Sequence, residues 1–264
     1  MPELPEVETV VRSLAPKLQG RRIRDAQFFS KHVVRQNFDE LAQRLRGQKV
    51  RSVRRHGKFI VLDLDSGKLT IHLGMTGKLL LDGAAGPYTR AFFELEDGGA
   101  LVYDDIRHFG RIEWSADLPA RVAGLGPDAL TISRDDFAGL LRRRHSMIKP
   151  LLMNQAFLRG MGNIYTDEAL FAAQISPKAI ASRLSAARVA RLHQAMVEIL
   201  SAAVALKGSS ISDYVDSEGR KGSFQLHHQV YGREGEKCPT CGARIRRIVL
   251  GSRGTHFCPR CQRR

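Results

Sequence analysis

The residues best suited to covalent chemistry open the chain: Met1-Pro2-Glu3-Leu4-Pro5-Glu6. A Met followed by a residue as small as Pro is expected to be trimmed in the cell, which would leave Pro2 as a terminal secondary amine. An α-amine titrates near 8, against about 10.4 for a lysine, so a useful fraction is unprotonated and nucleophilic at neutral pH. Its attack on a sugar aldehyde carbon would give an iminium ion, an electron sink, with the Glu3 carboxylate beside it. The same six residues also fit a loop entering a helix, with Pro5 in the first turn and acids favoured there. A second group closes the chain. Cys238-Pro-Thr-Cys241 and Cys258-Pro-Arg-Cys261 form two CxxC knuckles with 16 residues between them. That spacing suits one tetrahedral, structural zinc ion, and so short a segment has too little core to fold without it. Two disulfides would instead need an oxidising compartment, which nothing in the chain suggests.

Composition narrows the partner. The 264 residues carry 42 Lys and Arg against 27 Asp and Glu, a formal charge of +15. Such an excess points to a polyanion, nucleic acid before an acidic membrane surface. No run approaches the roughly 18 apolar residues of a membrane span, and no signal peptide opens the chain, so a cytoplasmic location is expected.

Periodicity supplies the elements that must hold these groups. Residues 5–18 read as a helix with a Val7, Val10, Val11, Leu14 stripe, ended by Pro16 and Gly20. From about 22 to 114 the period changes to two. Segments at 49–54, 58–64, 68–73, 78–81, 90–96, 100–103 and 111–114 are short, β-rich and punctuated by Gly and Asp, with a short helix at 38–46. They predict an antiparallel sandwich packed on the first helix. After Asp117 the texture turns helical: 134–143 behind a Ser133 N-cap, 147–153, 163–173 and a long amphipathic 184–206. Residues 208–236 are Gly- and Ser-rich, a linker or functional loop. The final knuckles bracket two strands around Gly251-Ser252-Arg253-Gly254.

MPELPEVE at the start, IHLGMTG at 71–77, DIRHFG at 105–110, MGNIYTDEALF at 161–171 and the paired knuckles occur in one order that resembles the formamidopyrimidine-DNA glycosylases, essentially end to end. The resemblance implies an α+β fold in three parts: an N-terminal β-sandwich with a leading helix (1–116), a central helix-two-turn-helix domain (117–236) and a C-terminal four-cysteine zinc finger built on a β-hairpin (237–264). It implies a monomeric bacterial enzyme, cytoplasmic and nucleoid-associated. The enzyme would excise oxidised purines from double-stranded DNA and then cut the strand as a lyase.

Carried onto this chain, the resemblance makes Pro2 the nucleophile at C1′ and Glu3 the general acid that opens the sugar ring. Lys58 would stand near the lesion, and Arg253, in the finger turn, would reach the phosphates around it. A base must leave the stack before C1′ can be reached, and the gap needs filling. Met75, Arg107 and Phe109 match the wedge that fills it, a thioether, a guanidinium and an aromatic. Lys149 and Asn163 match residues gripping the flanking phosphates, with Asn163 opening a helix whose free N–H groups suit an anion. Arg144, in a basic run, is a further phosphate candidate. Two positions depart from the pattern: His108 where Arg or Lys is common, and Tyr88 where a DNA-touching histidine is usual. Residues 212–225 correspond to the loop over the flipped base.

Three other readings share these features. An endonuclease VIII-type enzyme for oxidised pyrimidines would usually carry Gly in place of Leu4. A non-catalytic zinc-ribbon DNA binder would not need Pro2 and Glu3. RNA or ribosome binding accounts for the charge but not for the N-terminus.

Overall fold

The computed structural model describes residues 1–211 and 213–263. Ser212, at the head of the expected lesion-covering loop, and Arg264, at the end of the finger, lie outside the described residues. Packing divides the chain into two units: 1–124 with 206–225, and 125–205 with 226–264. This differs from the boundaries expected at 116 and 236. Segment 206–225 returns to the first unit, and the finger packs with the helices of the second.

In the first unit, helix α1 (Leu4–Leu18) buries Val7, Val10, Val11, Leu14 and Leu18 on one face. Pro16 does not end it. The proline sits inside the last turn, and the helix closes when Gln19 N–H donates to Ala15 O at 3.0 Å, with Gly20 left-handed at φ +92°. Strand β1 (Ile23–Phe28) follows, then α2 (Phe38–Leu45), capped by Asn37. The remaining strands are β2 (Val50–His56), β3 (Phe59–Leu64), β4 (Lys68–His72), β5 (Lys78–Leu81), β6 (Thr89–Leu95), β7 (Ala100–Asp104) and β8 (Arg111–Ser115). They form two antiparallel four-stranded sheets, in the orders β1-β6-β7-β5 and β2-β3-β4-β8. Alternation puts Ala91, Phe93 and Leu95 of β6 inside, and Phe93 meets Phe28 edge to face at 5.8 Å. Register aligns Phe59, His72 and Arg111 across β3, β4 and β8 at one end of the second sheet. One turn of helix, α3 (Ala120–Ala123), ends the unit's first segment.

The second unit holds α4 (Arg134–Arg142), α5 (Ile148–Met153), α6 (Asn163–Ala172) and α7 (Ala186–Ala205). Ser133 caps α4 as expected, its Oγ accepting Asp136 N–H at 3.1 Å. Helix α6 is buried continuously from Ile164 to Phe171, although that run includes Asp167 and Glu168. Two adjacent buried carboxylates require dedicated partners. Strands β9 (Arg246–Leu250) and β10 (Arg253–Phe257) make the finger hairpin. Its turn is tighter than expected. Gly251 and Ser252 alone turn the chain, at φ +55° and +60°, the pattern of a two-residue hairpin that matches strand twist. Arg253 is therefore the first residue of β10.

Candidate active site and nucleic-acid interface

The leading end is held by a carboxylate. Glu3 precedes α1, and its backbone N–H donates to Glu6 Oε2 at 2.7 Å. The other Glu6 oxygen accepts Ser209 N–H at 2.8 Å, and Tyr214 Oη donates to the Glu6 carbonyl at 3.2 Å. Glu6 is 1% exposed, so one buried side chain fixes both the N-terminus and the start of segment 208–225. A Cβ on Gly208 would come within 2.6 Å of Glu6 Oε1, and its φ of +77° also favours glycine. Pro2 is buried behind an exposed Met1. While Met1 is attached, the Pro2 nitrogen is an amide with no basic lone pair.

Lys58 lies in the tight turn between β2 and β3, after left-handed Gly57, and is buried. Arg55 ties this turn to α1, with Nε donating to Glu8 Oε2 at 2.7 Å and a terminal nitrogen donating to Gly57 O at 3.2 Å. Burial would raise the Glu8 carboxyl, but the hydrogen bonds from Arg55 and Arg12 draw it below the usual range. The elements carrying Pro2, Glu3 and Lys58 are thus cross-braced. His72 is a residue that sequence reasoning missed. Burial first, then the charges of Lys58, Arg121 and Arg111, push its imidazole down to about 4. It is neutral at pH 7 and accepts Gly74 N–H on Nδ1 at 3.1 Å.

The three expected wedge residues stand clear of the core. Met75 is 40% exposed and Phe109 56%, so neither is a packing residue, and the Arg107 guanidinium lies 4.5 Å from the centre of the Phe109 ring. Asp105, fully buried, sits beneath them. It accepts Thr76 Oγ1 at 2.5 Å, Gly110 N–H at 2.8 Å and Arg107 N–H at 3.2 Å, so it joins the loops bearing Met75 and Phe109. Gly110 admits no side chain, because a Cβ would fall 1.6 Å from Tyr103 Oη. His108 takes a left-handed φ of +56°, hydrogen-bonds Ser30 Oγ through Nδ1 at 2.8 Å and meets His32 edge to face. The departure at 108 therefore buttresses the loop. Tyr88 is half exposed, and its carbonyl accepts Asp105 N–H at 2.9 Å.

In the second unit, Asn163 opens α6 behind Gly162, and its Oδ1 is buried with no hydrogen-bond partner among the described residues. Arg144 is exposed, its guanidinium 5.7 Å from the Phe157 ring. Arg253 is exposed at the head of β10.

Lys149 requires a correction. It was expected among the phosphate-gripping groups, but its side chain is fully buried, with Nζ donating to Asp167 Oδ1 at 2.6 Å and to Gly254 O at 3.1 Å. A buried ammonium in this position is committed to its carboxylate and cannot also meet a phosphate. It holds the strand next to Arg253. Asp167 Oδ2 accepts His256 N–H at 2.8 Å, and Glu168 accepts the N–H groups of Gln229, Val230 and Tyr231 at 2.8 to 3.0 Å. Burial raises the Glu168 carboxyl, and the three donors only partly offset it. Together the two acids of α6 clamp the finger and its approach segment. The only sequence signal for this was an acidic pair inside an otherwise apolar helix.

The four cysteine sulfurs lie within 4.8 Å of one another, with Cys238–Cys261 at 3.9 Å and Cys241–Cys258 at 3.5 Å. Zn–S bonds of about 2.3 Å in a tetrahedron place sulfurs about 3.8 Å apart, so the set fits one zinc ion with no open position. The Cys241 thiol is drawn down to about 7, chiefly by the Ala243 N–H, while burial pushes Cys258 and Cys261 up.

Residues 1–112 match the formamidopyrimidine-DNA glycosylase N-terminal domain, 124–215 the formamidopyrimidine-DNA glycosylase H2TH domain, and 235–264 the zinc finger found in FPG and IleRS. A sandwich led by Pro-Glu, followed by these helices and a four-thiolate finger, defines a DNA glycosylase of the helix-two-turn-helix class. Over its whole length the chain is 54% identical to the full length of the formamidopyrimidine-DNA glycosylase of Solibacter usitatus, and 42% identical to that of Pseudomonas aeruginosa. The Lactococcus lactis Fpg (MutM), solved with DNA containing N7-benzyl-Fapy-dG, superposes with a TM-score of 0.91 at 36% identity, covering both chains fully. Thermus thermophilus MutM gives 0.89 at 39% identity, covering 99% of this chain and 98% of that one. The chain belongs to the formamidopyrimidine-DNA glycosylase family. No helix among the described residues is long and apolar enough to cross a membrane.

Proposed function

We propose that this enzyme excises 8-oxoguanine and ring-opened purines from bacterial chromosomal DNA, acting as a monomer in the cytoplasm at the nucleoid. The observation that carries this reading is the buried Glu6 anchor, which holds the Pro2-Glu3 peptide at one place on the sandwich. Once Met1 is removed, the Pro2 nitrogen attacks C1′. The N–C1′ bond forms, the glycosidic bond breaks, and the base leaves with a proton drawn from solvent, which takes back the proton that the Pro2 nitrogen then gives up. Glu3 protonates the sugar ring oxygen as the ring opens, and the amine proton is lost to give the iminium. That cation acidifies the C2′ proton, so the 3′-phosphate leaves, followed by the 5′-phosphate. Lys58 supplies positive charge beside the reacting sugar.

Met75, Arg107 and Phe109 occupy the gap left by the flipped nucleotide, with the Arg107 guanidinium able to hydrogen-bond the orphaned cytosine. Arg253, Asn163 and Arg144 bind phosphates, and Tyr88 lies against the backbone. Lys149 acts through the finger strand. Functionally the chain divides into 1–116 for chemistry, 117–236 for DNA binding and 237–264 as the finger. Residues 212–225 cover the extruded base.

Borohydride trapping on an 8-oxoguanine:cytosine duplex tests this directly. A covalent adduct that maps to Pro2, and that is absent from protein retaining Met1, is the expected result. Normal cleavage by the blocked form would refute the assignment. Relatives have been solved with carbocyclic 8-oxo-G DNA and with oxidised-pyrimidine DNA. The duplex panel should therefore include both base classes, with faster release of the purines expected.

A further inference from the structure

A basic cavity on the first unit has no part in the chemistry described above. It measures about 440 Å³ and opens beside Phe109, between Arg35, Arg111, Arg121, His32 and the aligned pair Phe59 and His72. A second hollow of about 200 Å³ shares the same three arginines. The guanidinium groups come from three places in the chain: the approach to α2, the first residue of β8, and α3. Register sets Arg111 directly beside His72. Arg121 lies over the Phe59 ring at 5.5 Å and is ion-paired with Glu113. Among the described residues, Arg35 and Arg111 form no ion pair. One carboxylate thus faces three arginines, and two positive charges are left unbalanced at the cavity wall.

Arg35 and Arg121 are exposed, so water screens part of their mutual repulsion. Like charges at close range destabilise one another unless an anion enters. Burial first, then Arg121 and Arg35, hold the Arg111 guanidinium below its ordinary range, with Glu113 opposing them. His72 is neutral and already accepts a hydrogen bond on Nδ1, so its Nε2 carries the proton and is a donor. Donors and positive charge therefore converge with one carboxylate and no other acceptor among the charged groups named. Arginine forks match a phosphodiester bidentately. The cavity mouth adjoins the exposed Phe109, which fixes where such a phosphate would come from.

We propose that Arg35 and Arg111, supported by Arg121, form a backbone-phosphate site for duplex DNA next to the base step that Phe109 enters. The site ties the wedge to the sugar-phosphate chain, so that the aromatic ring meets one step rather than sliding. The proposal rests on the wedge reading of Phe109.

The test is salt-dependent duplex binding by Arg111→Gln and Arg35→Gln in the zinc-loaded full chain, with an 8-oxoguanine:cytosine duplex. Each variant should raise Kd about 10-fold at low salt and reduce the slope of log K against log salt by about 1, the signature of one lost phosphate contact. Trapping at saturating enzyme should stay within about twofold of the parent, since only positioning energy is removed. Arg111→Lys should recover the slope but not the full affinity, which separates lost charge from a folding defect. A duplex with one neutral methylphosphonate linkage beside the lesion should weaken the parent and leave Arg111→Gln unaffected. Unchanged Kd and slope in both Gln variants would overturn the proposal. So would variants that lose pyrophosphate binding yet keep the parental duplex slope, because the cavity would then serve a free anion. Failure of the parent to trap at Pro2 would instead refute the catalytic reading, and the phosphate site would stand or fall on the slopes alone.

Discussion

The wedge loop of the first unit and the finger turn of the second present exposed groups by opposite arrangements of charge. Under the proposed wedge, Asp105 is buried among neutral donors, including the Thr76 hydroxyl and two backbone N–H groups. Under the finger, Asp167 faces a full positive charge, Lys149, itself excluded from water, and the pair is continued by the Glu168 clamp. Deleting a carboxylate that is satisfied by neutral donors strands no partner charge. Deleting one partner of a buried ion pair does strand one, because it leaves an uncompensated ion inside. Loss of its carboxylate is therefore expected to cost the finger more than the loop of residues 105–110.

Four substitutions break or sharpen this contrast. Asp167→Ala should have the largest effect, since it strands Lys149. A loss of about 3–5 kcal/mol in the stability of the second unit is expected, read by chemical denaturation. Replacing both partners with apolar residues should recover much of it, and a double variant as unstable as the single would show that the pair is not the clamp. Asp105→Ala should cost about 1–3 kcal/mol, a smaller penalty because only neutral donors are left unsatisfied. Its expected signature is loss of amide protection confined to residues 105–110, with trapping reduced and the rest of the sandwich intact.

His72 gives a pH test of the first unit. Its folded pKa, about 4, lies below the ordinary 6.5, so the folded state favours the neutral ring. The stability this contributes is complete above pH 6.5 and is lost as pH falls toward 4, at up to about 1.4 kcal/mol per pH unit. His72→Gln should flatten the melting temperature against pH across that window, and an unchanged profile would mean that the ring titrates normally. Burial also pushes His228 in the second unit down to about 4, so the residual acid sensitivity of His72→Gln should fall on the second unit. Tyr88→Ala should have the least effect, under about 0.5 kcal/mol in stability, as an exposed residue distant from special backbone geometry. Its proposed contact with the DNA backbone would show as a small rise in Kd with trapping at saturation unchanged.

Much of this was readable from residue order. Period-two runs marked seven of the eight sandwich strands, the knuckle spacing marked the zinc ligands, and Ser133 marked its helix. Strand β1 escaped because Ile23-Arg-Asp-Ala-Gln-Phe28 is largely polar and carries a register shift at its start. Pro16 misled because a proline in a final turn removes only one hydrogen bond. Lys149 misled more seriously, since one lysine among 42 basic residues carries no mark of whether its head meets solvent or a carboxylate.

The linear chain, taken alone, determined the groups available for reaction, the metal ligands and the order of the parts, because these depend on residue type and short-range spacing. Folding decided which charges face one another. Asp167 meets Lys149, Glu6 meets Ser209, and Arg35 gathers with Arg111 and Arg121, all across separations that no local pattern encodes. The physical reason is that a charge has no fixed energy of its own. Burial and neighbours set it, and both exist only once distant segments have packed.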